Sequence, residues 1–167
     1  MSSKKPDPNW AVFFPIVLLI LFLDVLSKEM VVSGQWVGVM IPGLLDFTPV
    51  TNPGAAFGLL PGARVFFIGI KIMAALVIVR MVSKSHKGEG SWLLLPLALI
   101  MGGALGNLFD RFRGNGEVVD FVDFHIAGHH WYIWNVADAA VSVGAVLVAL
   151  YLLFANKPER KPALPEE

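Results

Sequence analysis

Two aspartates in the C-terminal half of the chain have the residue type and setting that acid–base chemistry needs. Asp120 ends the run Glu117-Val118-Val119-Asp120, and Asp138 lies early in a strongly apolar segment, three residues after Asn135. Two carboxylates brought together in a partly dry site share a proton, because the pKa of one of them rises. The ionised carboxylate can activate water and the protonated one can polarise a carbonyl, which is aspartic-protease chemistry. The residues alone leave a second interpretation open, in which each acid forms a structural ion pair with an arginine.

Other charged and amide side chains lie near the ends of apolar segments. Asp24 and Lys28 are four residues apart in the first segment, the spacing of a helical ion pair. Asn107, Asp110 and Arg111 share one helical face at the end of the third segment. They could cap that helix, or Arg111 could bind a carbonyl, a lipid headgroup or a catalytic carboxylate.

Small residues and one isolated lysine complete the set of candidates. Gly102 and Gly106 have the small-xxx-small spacing that lets a second helix approach closely. Asn52 begins a small-residue turn in which Gly54 could adopt a backbone conformation that other residues avoid. Asn52 could bind a peptide substrate, or the segment could be a plain turn. Lys71 lies within the second apolar segment, and we expect it to face the bundle or its polar pocket, not lipid.

The histidines form the single cluster in the sequence that resembles a metal site. His125, His129 and His130 lie close together, but no HExxH motif and no cysteine accompanies them. We therefore predict solvated histidines and no metal. Asp46 and Asp123 are predicted to be loop acids. Trp131, Tyr132 and Trp134 are predicted to form an interfacial aromatic belt, and they could also line a lipid-binding groove.

The composition indicates a membrane protein with one domain, residues 1–155, and a disordered tail, residues 156–167. The chain has 167 residues and is 56% hydrophobic, whereas a soluble domain is typically ~45–50% apolar. Formal net charge is zero, so no nucleic-acid partner is expected. Apolar segments long enough to span a bilayer cover about residues 10–32, 63–82, 92–110 and 135–154.

The charge pattern predicts the orientation of these segments. Four spans place both termini on one side, and that side holds eight of the thirteen basic residues: Lys4, Lys5, Arg80, Lys84, Lys87, Lys157, Arg160 and Lys161. By the positive-inside rule this side is the cytoplasm. The loops rich in Asp, Asn and Gly then face the outside of the cytoplasmic membrane.

These motifs, in this order, resemble the lipoprotein signal peptidase family (signal peptidase II), which consists of bacterial membrane aspartyl peptidases. The likeness covers about Val17 to Leu153. The matching pieces are Asp24 with Lys28, the turn from Asn52 to Gly58, the block from Gly102 to Arg111, Val118-Val119-Asp120-Phe121 and Asn135-Val136-Ala137-Asp138.

The resemblance implies a catalytic pair and a fold. The pair would be Asp120 and Asp138, with no metal and no cofactor. Residues that shape or support the site would be Asp24, Lys28, Asn52, Gly54, Gly103, Asn107, Asp110, Arg111, Asn135 and Ala137. Room for a substrate backbone is expected around Gly54 and Gly103. The family fold is a four-transmembrane-helix bundle with a small extracytoplasmic β-cradle and a short surface helix, here from about Val31–Thr51 and Phe57–Val65.

The resemblance also implies a substrate and a location. The substrate would be a prolipoprotein whose cysteine already carries diacylglycerol, cleaved just before that cysteine. The enzyme would be a monomer in the bacterial inner membrane, in contact with membrane lipids and inhibited by globomycin-type cyclic peptides. The active site would lie near the outer face.

Two other functional classes compete with this interpretation. Acids and a lysine within a helical bundle could form a proton-coupled transporter or a channel subunit. However, the polar residues gather near one face, and no inverted repeat is visible in the sequence. A metal hydrolase that uses the histidines is the third hypothesis, and chelator-insensitive activity would exclude it.

Overall fold

The computed structural model describes residues 8–53, 64–84, 91–113 and 115–155. Most of these residues belong to four long helices, each of which begins and ends within two residues of a predicted apolar segment. The helices are α1 (Pro8–Val32), α2 (Arg64–Lys84), α3 (Ser91–Phe112) and α4 (Val136–Ala155).

The helices alternate in direction, and an apolar core fills one end of the bundle. This core joins Phe13 of α1, Val82 of α2 and Leu97 of α3, with Val148 of α4 packed against it. The start of α1, the end of α2, the start of α3 and the second half of α4 therefore meet at the same end. The opposite end receives the polar residues, because the end of α1, the end of α3 and the start of α4 converge there.

Glycines on α3 allow α1 to approach closely. A Cβ atom at Gly102 would lie 2.7 Å from Cβ of Ile20, and one at Gly106 would lie 2.5 Å from Oδ2 of Asp24. Real side chains do not reach such distances without a shift of the neighbour. The packing role predicted from the Gly102–Gly106 spacing is therefore confirmed.

Glycines also bring α3 and α4 into contact. A Cβ atom at Gly103 would collide with the carbonyl oxygen of Ala137, and one at Gly144 would lie 2.7 Å from the carbonyl oxygen of Pro96. The expectation that Gly103 leaves room for a substrate backbone is wrong, since the backbone of α4 fills that space. Gly103 instead lets the start of α4 rest on α3.

A four-stranded antiparallel sheet covers the polar end of the bundle, with the order β1-β2-β3-β4. Its strands are β1 (Gly38–Ile41), β2 (Leu45–Asn52), β3 (Val118–Ile126) and β4 (His129–His130). Strands were predicted within Val31–Thr51, but β3 and β4 were not. Phe121 and Val122 of β3 pack with Val31 in a second apolar cluster, which fixes the sheet to the end of α1.

Helices of membrane-spanning length and hydropathy are α1, α3 and α4 in the described ranges. The expected fourth span corresponds to α2, which has 21 residues and contains Lys71. The expected surface helix falls mostly on residues 57–63, outside the described residues, as do Gly54 and the tail 156–167.

The α3–α4 contact yields a stability prediction. Replacement of Gly103 by Ala should lower the free energy of unfolding by about 1–3 kcal/mol, because the added methyl group overpacks the contact with Ala137. The matched control is Gly69→Ala, since a Cβ atom on that α2 glycine would meet nothing within 4 Å. Thermal unfolding in detergent micelles measures both. Equal melting temperatures for the two variants would contradict the packing argument.

Candidate active site

The first turn of α4 is capped from two directions. The N–H of Asp138 donates to Oδ1 of Asn135 at 2.9 Å, and the N–H of Ala137 donates to Oδ1 of Asp24 at 2.9 Å. The first amides of a helix have no partner within the helix, so these bonds satisfy groups that burial would otherwise penalise. Asp24 is completely buried and also interacts favourably with the positive end of the α4 dipole. A carboxylate of α1 thus holds the helix that carries Asp138.

Lys28 of α1 forms two ion pairs, and the one with Asp110 joins α1 to α3. Its Nζ lies 2.7 Å from Oδ2 of Asp24 and 2.7 Å from Oδ2 of Asp110. The predicted pair between Asp24 and Lys28 is therefore present, and Asp110 extends it to a buried triad. Nζ of Lys28 also donates to Oδ1 of Asn107 at 3.2 Å.

Two asparagine amides connect Asp120 to Asp138. Nδ2 of Asn107 donates to Oδ1 of Asp138 at 2.8 Å, and Nδ2 of Asn135 donates to Oδ1 of Asp120 at 2.6 Å. The amides also bond to each other, since Nδ2 of Asn135 lies 3.0 Å from Oδ1 of Asn107. Asp120 and Asp138 therefore belong to one hydrogen-bonded network, although they come from a strand and a helix.

The backbone at Val119 fixes the position of Asp120. Its N–H donates to Oδ2 of Asp110 at 3.3 Å, and its carbonyl accepts from Nδ2 of Asn135 at 3.2 Å. The N–H and the carbonyl of Val119 are thus both hydrogen-bonded to side chains from the bundle. Asp120 follows directly and is only 3% exposed.

The second oxygen of Asp120 faces the sheet. Nδ2 of Asn52, the last residue of β2, donates to Oδ2 of Asp120 at 2.9 Å and lies 3.3 Å from Oη of Tyr132. The sequence predicted Tyr132 as part of an aromatic belt or a lipid-binding groove, not as a partner of Asn52. Burial raises the pKa of Tyr132 to about 12, so its hydroxyl keeps its proton at neutral pH. No local pattern indicated this contact, since 80 residues separate Asn52 from Tyr132.

The electrostatic setting of Asp120 favours its protonated form. Burial raises the pKa of its carboxyl from 3.8 to about 6. The hydrogen bonds from Asn52 and Asn135 oppose this rise, whereas the charge of Asp138 adds to it. Such a carboxyl gains and loses a proton near neutral pH, as an acid–base group must.

The other predicted support residues lie around the network. Arg111 is buried and its Nη1 donates to the carbonyl of Gly116 at 3.3 Å, so it binds a carbonyl of its own chain. Lys71 is partly buried and within electrostatic range of Asp138 and Asp110, in agreement with the expectation that it faces the polar pocket. The position of Gly54 is not among the described residues.

The five residues predicted to be in solvated loops are all strand residues. Asp46 lies in β2, Asp123 and His125 lie in β3, and His129 and His130 form β4. Asp123 is only 6% exposed, and both its oxygens lie within 3.0 Å of Nδ1 of His130. The loop prediction was wrong because polar residues interrupt the apolar alternation that reveals a strand.

A helix-rich chain with membrane-length helices and two carboxylates linked through buried amides has the features of a membrane-embedded hydrolase. A family model described as signal peptidase (SPase) II matches residues 16–154. Lipoprotein signal peptidases from Halothermothrix orenii and Sulfurihydrogenibium sp. are 43% and 40% identical to the chain. The alignments cover 82% and 87% of this chain, and 92% and 93% of the relatives. The chain therefore belongs to the signal peptidase II family and is a peptidase.

Solved structures agree with this assignment. A bacterial membrane enzyme superimposes with a TM-score of 0.79 at 30% identity, covering 93% of this chain and 95% of that chain. A second bacterial membrane enzyme gives a TM-score of 0.75 at 31% identity, covering 86% and 94% of the two chains. The fold therefore belongs to a known group of membrane enzymes.

The buried triad predicts a large effect of removing its cation. Lys28→Met should lower the free energy of unfolding by about 3–5 kcal/mol, because Asp24 and Asp110 then lack their shared partner. Lys84→Met is the control, since Lys84 is exposed in the last turn of α2. Thermal unfolding followed by tryptophan fluorescence measures both variants. A melting temperature for Lys28→Met equal to that of the control would refute the role assigned to the triad.

The raised pKa of Asp120 predicts a pH-dependent stability difference. Folding favours the protonated carboxyl, so its contribution is complete below pH 3.8 and is lost as the pH rises through about 6. Compared with Asp120→Asn, the wild-type protein should lose about 2–3 kcal/mol of unfolding free energy between pH 4 and pH 7. The measurement is the difference in melting temperature between the two proteins across this range. A difference that does not change with pH would show that burial does not perturb Asp120.

Proposed function

We propose that this chain removes the signal peptide from prolipoproteins whose cysteine carries diacylglycerol, and that it cleaves just before that cysteine. Its relatives are named lipoprotein signal peptidases. The observation that carries the proposal is the hydrogen-bonded connection of Asp120 and Asp138 through Asn135 and Asn107. A pair of linked carboxylates with one raised pKa is suited to peptide hydrolysis with water as the nucleophile.

Asp120 and Asp138 act as a pair that holds one proton. The ionised carboxylate takes a proton from water, and the resulting hydroxide attacks the scissile carbonyl. The protonated carboxyl donates a hydrogen bond to the carbonyl oxygen and assists formation of the tetrahedral intermediate. A proton then passes to the leaving nitrogen as the peptide bond breaks. Asp120 is the natural carrier of the shared proton, because burial raises its pKa to about 6.

The side-chain amides of Asn107 and Asn135 orient the two carboxylates, and the substrate approaches them from the side of the sheet in this proposal. Asn107 and Asn135 hold one oxygen of each carboxylate, so the remaining oxygens keep a defined direction. Asn52 and Tyr132 lie on the strand side of Asp120, and Tyr132 helps to line a cavity of about 580 Å³. This cavity is the proposed approach of the substrate peptide, with Tyr132 as a hydrogen-bonding group.

The remaining predicted residues shape the site in this proposal. Asp24, Lys28 and Asp110 form the charged wall behind the amides, and Arg111 holds the loop at Gly116. Gly103 and Ala137 let α4 approach α3 closely enough to bring Asp138 to Asn107. Gly54 remains a predicted substrate-binding residue.

We further propose four membrane spans with both termini in the cytoplasm. The fourth span is α2, whose 21 residues extend about 31 Å at 1.5 Å per residue. The catalytic pair then lies near the outer face of the bacterial inner membrane. A diacylglyceryl group can stay in lipid between helices while its peptide reaches this face, and each buried CH₂ contributes ~0.8 kcal/mol to anchoring. The enzyme works as a monomer and binds globomycin-type peptides in the same place.

The transporter alternative lacks support from the interior of the bundle. A transporter needs polar groups along a route through the membrane. In the described residues, the end of the bundle opposite the aspartates is packed with Phe13, Val82 and Leu97. The buried charged side chains of the described residues gather at the other end, and such a distribution is suited to an enzyme that acts at the membrane surface.

Substitution of either aspartate tests the proposal. Asp120→Asn and Asp138→Asn should each lower the rate of prolipoprotein processing by ~10² to 10⁴-fold, the usual contribution of an acid–base group. The assay is a gel shift of a diacylglyceryl-modified prolipoprotein incubated with the purified protein. An unlipidated prolipoprotein serves as the second substrate and should not be processed.

The control is Glu29→Gln, which removes an acid that is 55% exposed and pairs with Arg113. This variant should process the substrate at the wild-type rate. Full processing by either aspartate variant would overturn the assignment of the catalytic pair. Equal processing of the unlipidated substrate would instead overturn the proposed substrate class.

A further inference from the structure

A second group of potential ligands lies on the sheet, outside the network of Asp120 and Asp138. Asp123, His125 and His130 each direct one ligand atom so that all three atoms lie within 4.8 Å of one another. Nδ1 of His130 is 2.9 Å from Oδ1 of Asp123, and the rings of His125 and His130 lie 4.9 Å apart. These residues come from the neighbouring strands β3 and β4.

The register adds a second carboxylate to this group. Asp46 of β2 is the direct partner of Asp123 in β3, and His125 is the partner of His130 in β4. Directly opposed residues of antiparallel strands project from the same face of a sheet, as do residues two apart on one strand. Asp46, Asp123, His125 and His130 therefore project from one face.

Two atoms on this face are buried with no hydrogen-bond partner in the described structure. They are Oδ1 of Asp46 and Nδ1 of His125. A buried polar atom without a partner is costly, and native proteins rarely leave one unexplained. The contact between Asp123 and His130 alone would leave both of these atoms without a partner. A bound cation would interact with both the imidazole nitrogen and the carboxylate oxygen.

The turn between β3 and β4 holds the two histidines opposite each other. Ala127 and Gly128 both have positive φ, at 50° and 77°, which is the backbone of a tight two-residue hairpin turn. Ala127 is the single non-glycine residue with positive φ in the described ranges. This short turn keeps His125 beside His130, so little backbone movement is needed to bring their ligand atoms together.

We propose that Asp123, His125 and His130 bind one divalent transition-metal ion of the zinc type, with the carboxylate of Asp46 beside it. Two imidazoles and carboxylate oxygens are ligands that Zn²⁺ accepts, and it binds them at ~2.0–2.2 Å in tetrahedral geometry. His130 is 57% exposed and can move to complete such a site. The ion joins β4 to β3, the strand that carries Asp120, and so has a structural role. This inference is independent of the peptidase chemistry.

Zinc binding by the full-length protein tests the site directly. The metal-free protein in detergent micelles is titrated with Zn²⁺ against a fluorescent zinc indicator. We expect one ion per chain, and a Kd at least tenfold higher for His125→Ala and for His130→Ala. His129→Ala is the matched control, because His129 is exposed next to His130 and lies outside the group of ligands.

A second measurement separates metal binding from misfolding. Each metal-free variant should unfold cooperatively, and added Zn²⁺ should raise the melting temperature of the wild-type protein and of His129→Ala but not of His130→Ala. The proposal is overturned if the wild-type protein binds no stoichiometric ion. It is also overturned if His125→Ala and His130→Ala bind Zn²⁺ as tightly as His129→Ala.

Discussion

The polar end of the bundle depends on the burial of one carboxylate, that of Asp24. Removal of an ionised carboxylate from water costs several kcal/mol unless paired charges and hydrogen bonds compensate it. Here Lys28 and the N–H of Ala137 provide that compensation, and the absence of a side chain at Gly106 leaves the space. These three contributions come from α1, the start of α4 and α3, respectively. Consequently α1, α3 and the start of α4 have one mutual arrangement in which this charge is satisfied.

The asparagines solve a related electrostatic problem. A lysine in direct contact with a catalytic carboxylate would hold it ionised, since an opposite charge favours the charged form. Asn107 lies between Lys28 and Asp138, accepts from the lysine and donates to the carboxylate. A neutral amide can thus fix the geometry of the carboxylate without adding a charge to it. Asn135 serves Asp120 in the same way and also caps α4.

The sheet positions the polar side chains on the side of the site that the helices do not reach. It brings Asn52 and Tyr132 to the side of Asp120 that faces away from the bundle, and it is anchored by Phe121 and Val122 packed on Val31. One strand, β3, therefore carries an apolar anchor, a proposed catalytic acid and two of the three ligands of the proposed metal site within nine residues. A metal ion at its far end and the backbone hydrogen bonds of Val119 at its near end would restrict the same strand from both sides.

The sequence alone determined the four helices, the Asp24–Lys28 pair and the residue types of the site. Long apolar runs and a four-residue spacing act within one segment, so local patterns reveal them. Only the tertiary structure decided that Gly103 meets α4, that Asp123 is buried in a strand and that Tyr132 approaches Asn52. The bond between Lys28 and Asn107 joins residues 79 positions apart. Such contacts follow from how closely the helices and the sheet pack, and this packing is not encoded in the periodicity of any single segment.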